Sequence, residues 1–254
     1  MRQFVFFLML GASLANAGPV VVKNSTFNGI MPFVESSNKA VASSINATIY
    51  SDMLEMPAPK TWQKNLQEVP EEAVQSQSEI SYEVSRNDGK ILSIQIEAQG
   101  CGAYCESYTS FFNFDIANGE RVAIEDMATE KGLVSLDKKL IQIRTAILKK
   151  EIVRLQREAK NTAAAKGKDD TDPWEDSIVL YQGCLVTMAD ISLADSRFKI
   201  DKDHIVFIYD RCSNHAMRAA DTLDQFQNAL SFTELKPYLN DYGKKLLLTK
   251  AKTP

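Results

Sequence analysis

Asp210-Arg211-Cys212-Ser213-Asn214-His215-Ala216-Met217-Arg218 gathers one of the chain's two histidines, one of its four cysteines and two arginines within nine residues. Two guanidiniums offer forked donors to a carboxylate, and an imidazole adds a group that titrates near neutral pH, so the segment suits an anion. Helical spacing would set Arg211, His215 and Arg218 at i, i+4 and i+7 on one face, with Asp210 as N-cap. Three roles are open. The cluster is a polar network holding the segment around Cys212 in place, or a pocket for a carboxylate or sugar to which Asn214 adds an amide. The third role is a hydrolytic centre, with His215 working beside a carboxylate such as Asp210 or Asp221.

Other chemistry is poorly supplied. Ser213 lies two residues from His215, a spacing that does not bring helical side chains together, and no Gly-x-Ser-x-Gly elbow occurs. Cys101-Gly102-Ala103-Tyr104-Cys105 lacks the two-residue spacing of thiol oxidoreductases. His204 opens an apolar strand and reads as an exposed or capping residue. Tyr104, Tyr108 and Phe111 near the Cys101–Cys105 tip are candidates to stack on a sugar ring, with core packing the simpler role for Tyr108. No cofactor is expected, and no metal.

The elements that must position these residues begin after a secretory signal. Met1 to Ala17 has Arg2 in a short basic region, an apolar run from Phe4 to Leu14, and Ala15-Asn16-Ala17 as a cleavage site. The run is shorter than the roughly 20 residues that span a bilayer, so cleavage after Ala17 should leave a soluble periplasmic or secreted chain with no membrane span. The 254-residue chain carries a net charge of −4, which excludes a strongly basic nucleic-acid binder. Residues 18–254 are expected to form one extracytoplasmic domain, with an N-terminal helical part over 18–78 and a core over 79–254. All four cysteines enter an oxidising compartment, where an even number points to disulfides. Of the three connectivities, Cys101–Cys105 with Cys184–Cys212 is preferred, since the first pair flanks a hairpin tip and the second ties two distant segments.

The fold class expected is α+β. Phe33 to Leu54 reads as a helix that Pro57 and Pro59 stop, and Glu55 to Ser78 as a connecting loop. Ile80, Tyr82 and Val84 alternate with polar residues, Asn87-Asp88-Gly89 marks a turn, and Leu92, Ile94 and Ile96 resume the alternation. Ser107 to Ile116 makes a third strand and Arg121 to Ile124 a fourth, giving an antiparallel meander over about 80–124. Further strands are expected over about 177–209: Ser177 to Val186, Arg197 to Ile200 and Ile205 to Tyr209. From Leu133 to Lys160 the period turns helical, with Leu133, Leu136, Leu140, Ile143, Ile147, Ile152 and Leu155 as the apolar stripe. Eight basic residues against Glu151 and Glu158 make the rest of this helix, from Lys138 to Lys160, a solvated face or a face for an anionic partner. Asn161 to Asp176 reads as a mobile loop, and short helices close the chain around Thr222 to Leu230 and Thr233 to Leu239.

Tyr82 to Ile94, then Phe114-Asp115-Ile116-Ala117-Asn118-Gly119-Glu120, resemble a bacterial extracytoplasmic domain family of unknown function. That domain is found in lysozyme-sensing anti-sigma factors and beside peptidoglycan deacetylase domains. Ile45-Asn46-Ala47-Thr48-Ile49 resembles its N-terminal helix, so the likeness runs discontinuously from about Phe27 to Leu239. It implies helices packed on an antiparallel sheet and a binding or sensing role at the cell wall, toward a peptidoglycan fragment or a lysozyme-like protein. The deacetylase metal needs several histidines and an aspartate, and His204 and His215 are too few. The chain has no internal transmembrane segment and no anti-sigma region, so direct signalling is not implied. The expected function is a non-enzymatic binding module, with an envelope glycan or peptide hydrolase as the alternative and a structural envelope protein as a third.

Overall fold

The computed structural model describes residues 19–24, 31–54, 77–101, 105–165, 174–214 and 216–249. The signal-like segment, Tyr104 and His215 lie outside them, as do residues 55–76 of the expected connecting loop. Two larger antiparallel sheets, of four and three strands, and a two-stranded antiparallel pair, with helices against them, form an α+β fold.

The first sheet is built as the alternation requires. Strands β3 (Gln77–Asn87), β4 (Ile91–Cys101), β5 (Cys105–Asp115) and β6 (Glu120–Arg121) pair in chain order. The turns fall at Gly89 and Gly119, whose φ values of 83° and 76° are strained for any residue with a Cβ. Leu92, Ile94 and Ile96 of β4 and Phe112 and Phe114 of β5 point to one face, where helix α1 (Lys39–Leu54) presents Val41, Ile45, Ile49 and Met53. The helix begins later than the sequence suggests, because Pro32–Glu35 forms strand β2 and pairs with β1 (Val21–Asn24). Asn46 fixes that junction, its side chain accepting from Val34 N and donating to Val34 O, both at 2.8 Å.

The second half of the chain makes a separate core. After the one-turn helix α2 (Ile124–Met127), which replaces the end of the expected fourth strand, α3 runs over Glu130–Ala165. It extends past the expected end of the long helix into the segment expected to be a mobile loop, of which residues 166–173 lie outside the described set. Helix α4 (Glu175–Thr187) packs beside it, where a strand was expected. The apolar run Ile178-Val179-Leu180 suits either structure by composition. The helix buries Ser177 and Tyr181 on one side and leaves Val179 and Val186 exposed. Strands β7 (Arg197–Ile200), β8 (His204–Tyr209) and β9 (Phe226–Ser231) form the second sheet. The last was expected as a helix, but Phe226, Asn228 and Leu230 are buried alternately with exposed Gln227 and Ala229, which is the period of a strand. Short helices α5 (Phe232–Leu235) and α6 (Asp241–Leu248) close the core.

The stripe of α3 is rotated from the expected one. Leu136, Leu140, Leu148 and Leu155 are fully buried, and between them so is Arg144, which the sequence counts among the solvent-facing bases. Its Nη2 donates to Ile191 O at 2.8 Å, and its guanidinium lies 3.6 Å from the centroid of the Tyr209 ring. A desolvated guanidinium is tolerated there because carbonyls and an aromatic face replace part of its hydration.

The two sheets meet through side chains that close an open strand edge. Strand β7 is the free edge of the second sheet, and the buried Ser93 and Asn113 of the first sheet reach it. Ile200 N donates to Ser93 Oγ at 3.1 Å and to Asn113 Oδ1 at 3.2 Å, while Asn113 Nδ2 donates to Phe198 O at 2.8 Å. Ser85 Oγ donates to Ile200 O at 3.1 Å and Arg86 Nη1 to Asp201 O at 3.2 Å. The edge is thereby satisfied without a further strand.

Candidate functional site

Strand β8 delivers the Asp210–Asn214 segment to the surface, and three anchors hold it in an extended path in place of the expected helix. The first is ionic: Asp210 pairs with Arg197 of β7, whose Nη1 also donates to Thr109 O at 3.1 Å. The second is covalent. Cys212 is joined to Cys184 of α4, with Cα atoms 5.6 Å apart. The third is a buried hydrogen-bond hub around the Tyr181 hydroxyl, which donates to Asp221 Oδ1 at 2.7 Å and accepts from Thr222 N at 2.6 Å and Leu223 N at 2.8 Å. Asp221 Oδ2 accepts from Ser213 N at 3.1 Å, so one carboxylate links both limbs of the loop. Thr222 Oγ1 donates to Glu151 Oε1 at 2.6 Å, which carries the network on to α3.

These environments shift the titrating groups in accountable directions. Burial pushes the Tyr181 phenol up to about 12. Burial acts the same way on Asp221, but the hydrogen bonds from Tyr181, Ser213 and Leu223 outweigh it and hold the carboxyl below its ordinary value. The Arg154 guanidinium bonded to Glu151 at 2.8 and 2.6 Å lowers that carboxyl against its own burial.

On this frame the segment lines a cleft of about 680 Å³ between the rim of the first sheet and the loop after β8. Arg211, Asn214 and Arg218 line it together, facing Glu97, Glu106 and Asp224. Arg211 spans the cleft, with Nη2 3.5 Å from Glu106 and Nη1 3.6 Å from Asp224. Asn214 Oδ1 accepts from Met217 N at 3.0 Å and opens the turn that exposes Arg218. No ion pair of Arg218 is seen among the described residues. The cleft thus presents charges of both signs on pinned main chain, an arrangement chemically suited to a ligand bearing both donors and acceptors.

Arg211, Asn214 and Arg218 do come together, though by way of a turn. His215 and Tyr104 lie outside the described residues. Of the carboxylates of the hydrolytic reading, Asp210 is exposed and pairs with Arg197, and Asp221 is held by Tyr181 and Ser213. His204 begins β8 and sits between Asp201 at 3.1 Å and Asp203 at 2.7 Å, away from the cleft. Cys101 and Cys105 face each other in the β4–β5 register, and Cys105 is disulfide-bonded. Among the described residues no group of three or more His, Cys, Asp or Glu side chains is placed to hold a metal ion. Glu97, Glu106, Arg197 and Asp224 were missed from the sequence because they come from four separate segments with no shared spacing.

An α+β fold with a disulfide-pinned, mixed-charge cleft defines the class. No protein-family model matches the chain, and no curated protein does. Among solved structures it is similar to a DUF3298 family protein from Bacteroides fragilis, at 15% identity and a TM-score of 0.52, over 91% of this chain and 98% of that one. A DUF3298 family protein from Pseudomonas aeruginosa matches at 11% identity and a TM-score of 0.42, over 90% and 97% of the two chains. The former likeness shows a shared fold with a domain of unknown function.

Proposed function

We propose that this chain is a secreted or periplasmic, non-enzymatic module that binds a peptidoglycan fragment in the cleft between β5 and the loop after β8. The observation that carries this reading is the convergence of Arg211, Asn214 and Arg218 on one open cleft whose far wall is acidic. A wall fragment bears carboxylates, ammonium groups, amides and hydroxyls on one molecule, and the cleft offers a counterpart to each. The signal-like N-terminus supplies the compartment, and among the described residues no helix is long and apolar enough to cross a membrane.

Retention of the mature protein on purified peptidoglycan, beside Arg218→Ala and His215→Ala, tests the reading. Retention of the native protein that Arg218→Ala weakens several-fold is the expected result. Retention on immobilised lysozyme alone would transfer the role to a protein partner, and retention on neither surface would overturn it. Release of soluble muropeptides that His215→Ala abolishes would establish the hydrolase instead.

A further inference from the structure

The Cys184–Cys212 disulfide lines a second pocket, of about 390 Å³, which Arg144 also lines. The walls are mostly apolar: Leu180, Met188, Ile191 and Phe226, with the disulfide between them. Arg144 is fully buried, and among the described residues its charge lacks a counter-ion. None of the described carboxylates approaches to ion-pair distance, its Nε and Nη2 donate to the carbonyls of Leu140 and Ile191 at 3.4 and 2.8 Å, and none of the described residues accepts from Nη1. The carboxylates whose charge acts on it are engaged elsewhere. Asp137 accepts from Leu193 N at 2.7 Å, and Asp195 takes the main-chain N–H and hydroxyl of Ser192 at 2.7 and 3.0 Å. Two further charges line the pocket, Arg211 and Asp210, the latter neutralised by Arg197.

We propose that this pocket is a binding site for a small amphipathic carboxylate, with the anion on Arg144 and the apolar chain over Leu180, Met188, Ile191 and Phe226. A buried guanidinium with unused donors gains most from a desolvated carboxylate, and the volume lies within the usual range for small-molecule sites. Gly183 is exposed and a Cβ built there meets nothing within 4 Å, so a larger side chain has room at this position of the pocket lining. The proposal stands apart from the wall-fragment reading, since the two pockets share only the rim residues Asp210 and Arg211.

Titration of the native protein with octanoate, below its micellar concentration, and with octan-1-ol tests it by calorimetry. Octanoate should bind saturably and octan-1-ol at least tenfold more weakly. Gly183→Phe should weaken octanoate at least tenfold while leaving the unfolding midpoint of the free protein near the native value, and Arg144→Met should remove the preference for the acid over the alcohol. Gly183→Phe decides the matter if Arg144→Met does not fold. Absence of saturable octanoate binding, equal binding of the alcohol, or native affinity in Gly183→Phe would overturn the proposal.

Discussion

At the scale of single residues, Tyr181 organises more of the site than any member of the nine-residue cluster. Its hydroxyl satisfies two main-chain donors and one carboxylate at once, all within a fully buried side chain. Tyr181→Phe leaves those partners desolvated, and about 1–3 kcal/mol of unfolding free energy should be lost, as read by urea denaturation. An unchanged midpoint would show that the loop is held by its other anchors alone. The alkaline limb carries the same signature: the phenol titrates above its ordinary value, so its contribution is complete below about 10 and fades as pH rises through about 12. Residues of this kind were hidden in the sequence. Tyr181 falls in an apolar run that displays no polar partner, and Arg144 sits four residues from Leu140 and Leu148 on an apolar line where its charge alone reads as solvent-facing. The rare residues were visible because rarity is a property of the sequence, whereas their partners are set by packing.

At the scale of elements, the meander of the first sheet was legible because turn glycines and strict alternation agree over β3, β4 and β5. The second half was harder. The segments of α4 and β9 carry no such agreement: one is an apolar run without period, and the other alternates but is rich in residues common in helices. Tertiary partners decide both, the disulfide and Tyr181 for α4 and pairing with β8 for β9. The Asp210–Asn214 segment does not form the expected helix for the same reason, being tied at Asp210, Cys212 and Ser213 to three different neighbours. The disulfide closes a loop of 28 residues, and in the chain-entropy account its loss costs roughly 3–4 kcal/mol. Replacing both Cys184 and Cys212 with alanine should lower the denaturation midpoint accordingly and also abolish cleft binding. Retained binding in that variant would show that the disulfide stabilises the fold without positioning the site.

At the scale of the whole molecule, the two larger sheets are joined by a polar clasp beside a small apolar cluster of Phe111, Val206 and Ile208. Asn113→Ala deprives the amide of Ile200 of one acceptor and the carbonyl of Phe198 of its donor, both at a buried edge, and about 2 kcal/mol of stability should be lost with no change in the secondary structure seen by circular dichroism. Loss of strand signal in that variant would mean that the sheets do not form independently. Acid acts across the whole chain. Asp221 and Asp88, pushed up by burial but lowered further by hydrogen bonds, and Glu151, lowered by Arg154, all titrate below their ordinary values. Their stabilisation is therefore complete above about pH 4 and is lost as pH falls through the folded values. A pH series of thermal midpoints should be flat near neutrality and fall below about pH 4, and a fall already complete at pH 5 would contradict these assignments.

The central claim is that the cleft between β5 and the loop after β8 binds a charged wall fragment. Isothermal titration of the mature protein with soluble muropeptides, native against Arg218→Glu, measures it most directly, because Arg218 is exposed and its substitution should leave the fold intact. The account expects saturable one-site binding that the charge reversal weakens at least tenfold. Equal affinity for the two proteins, or no heat of binding to the native one, would contradict it.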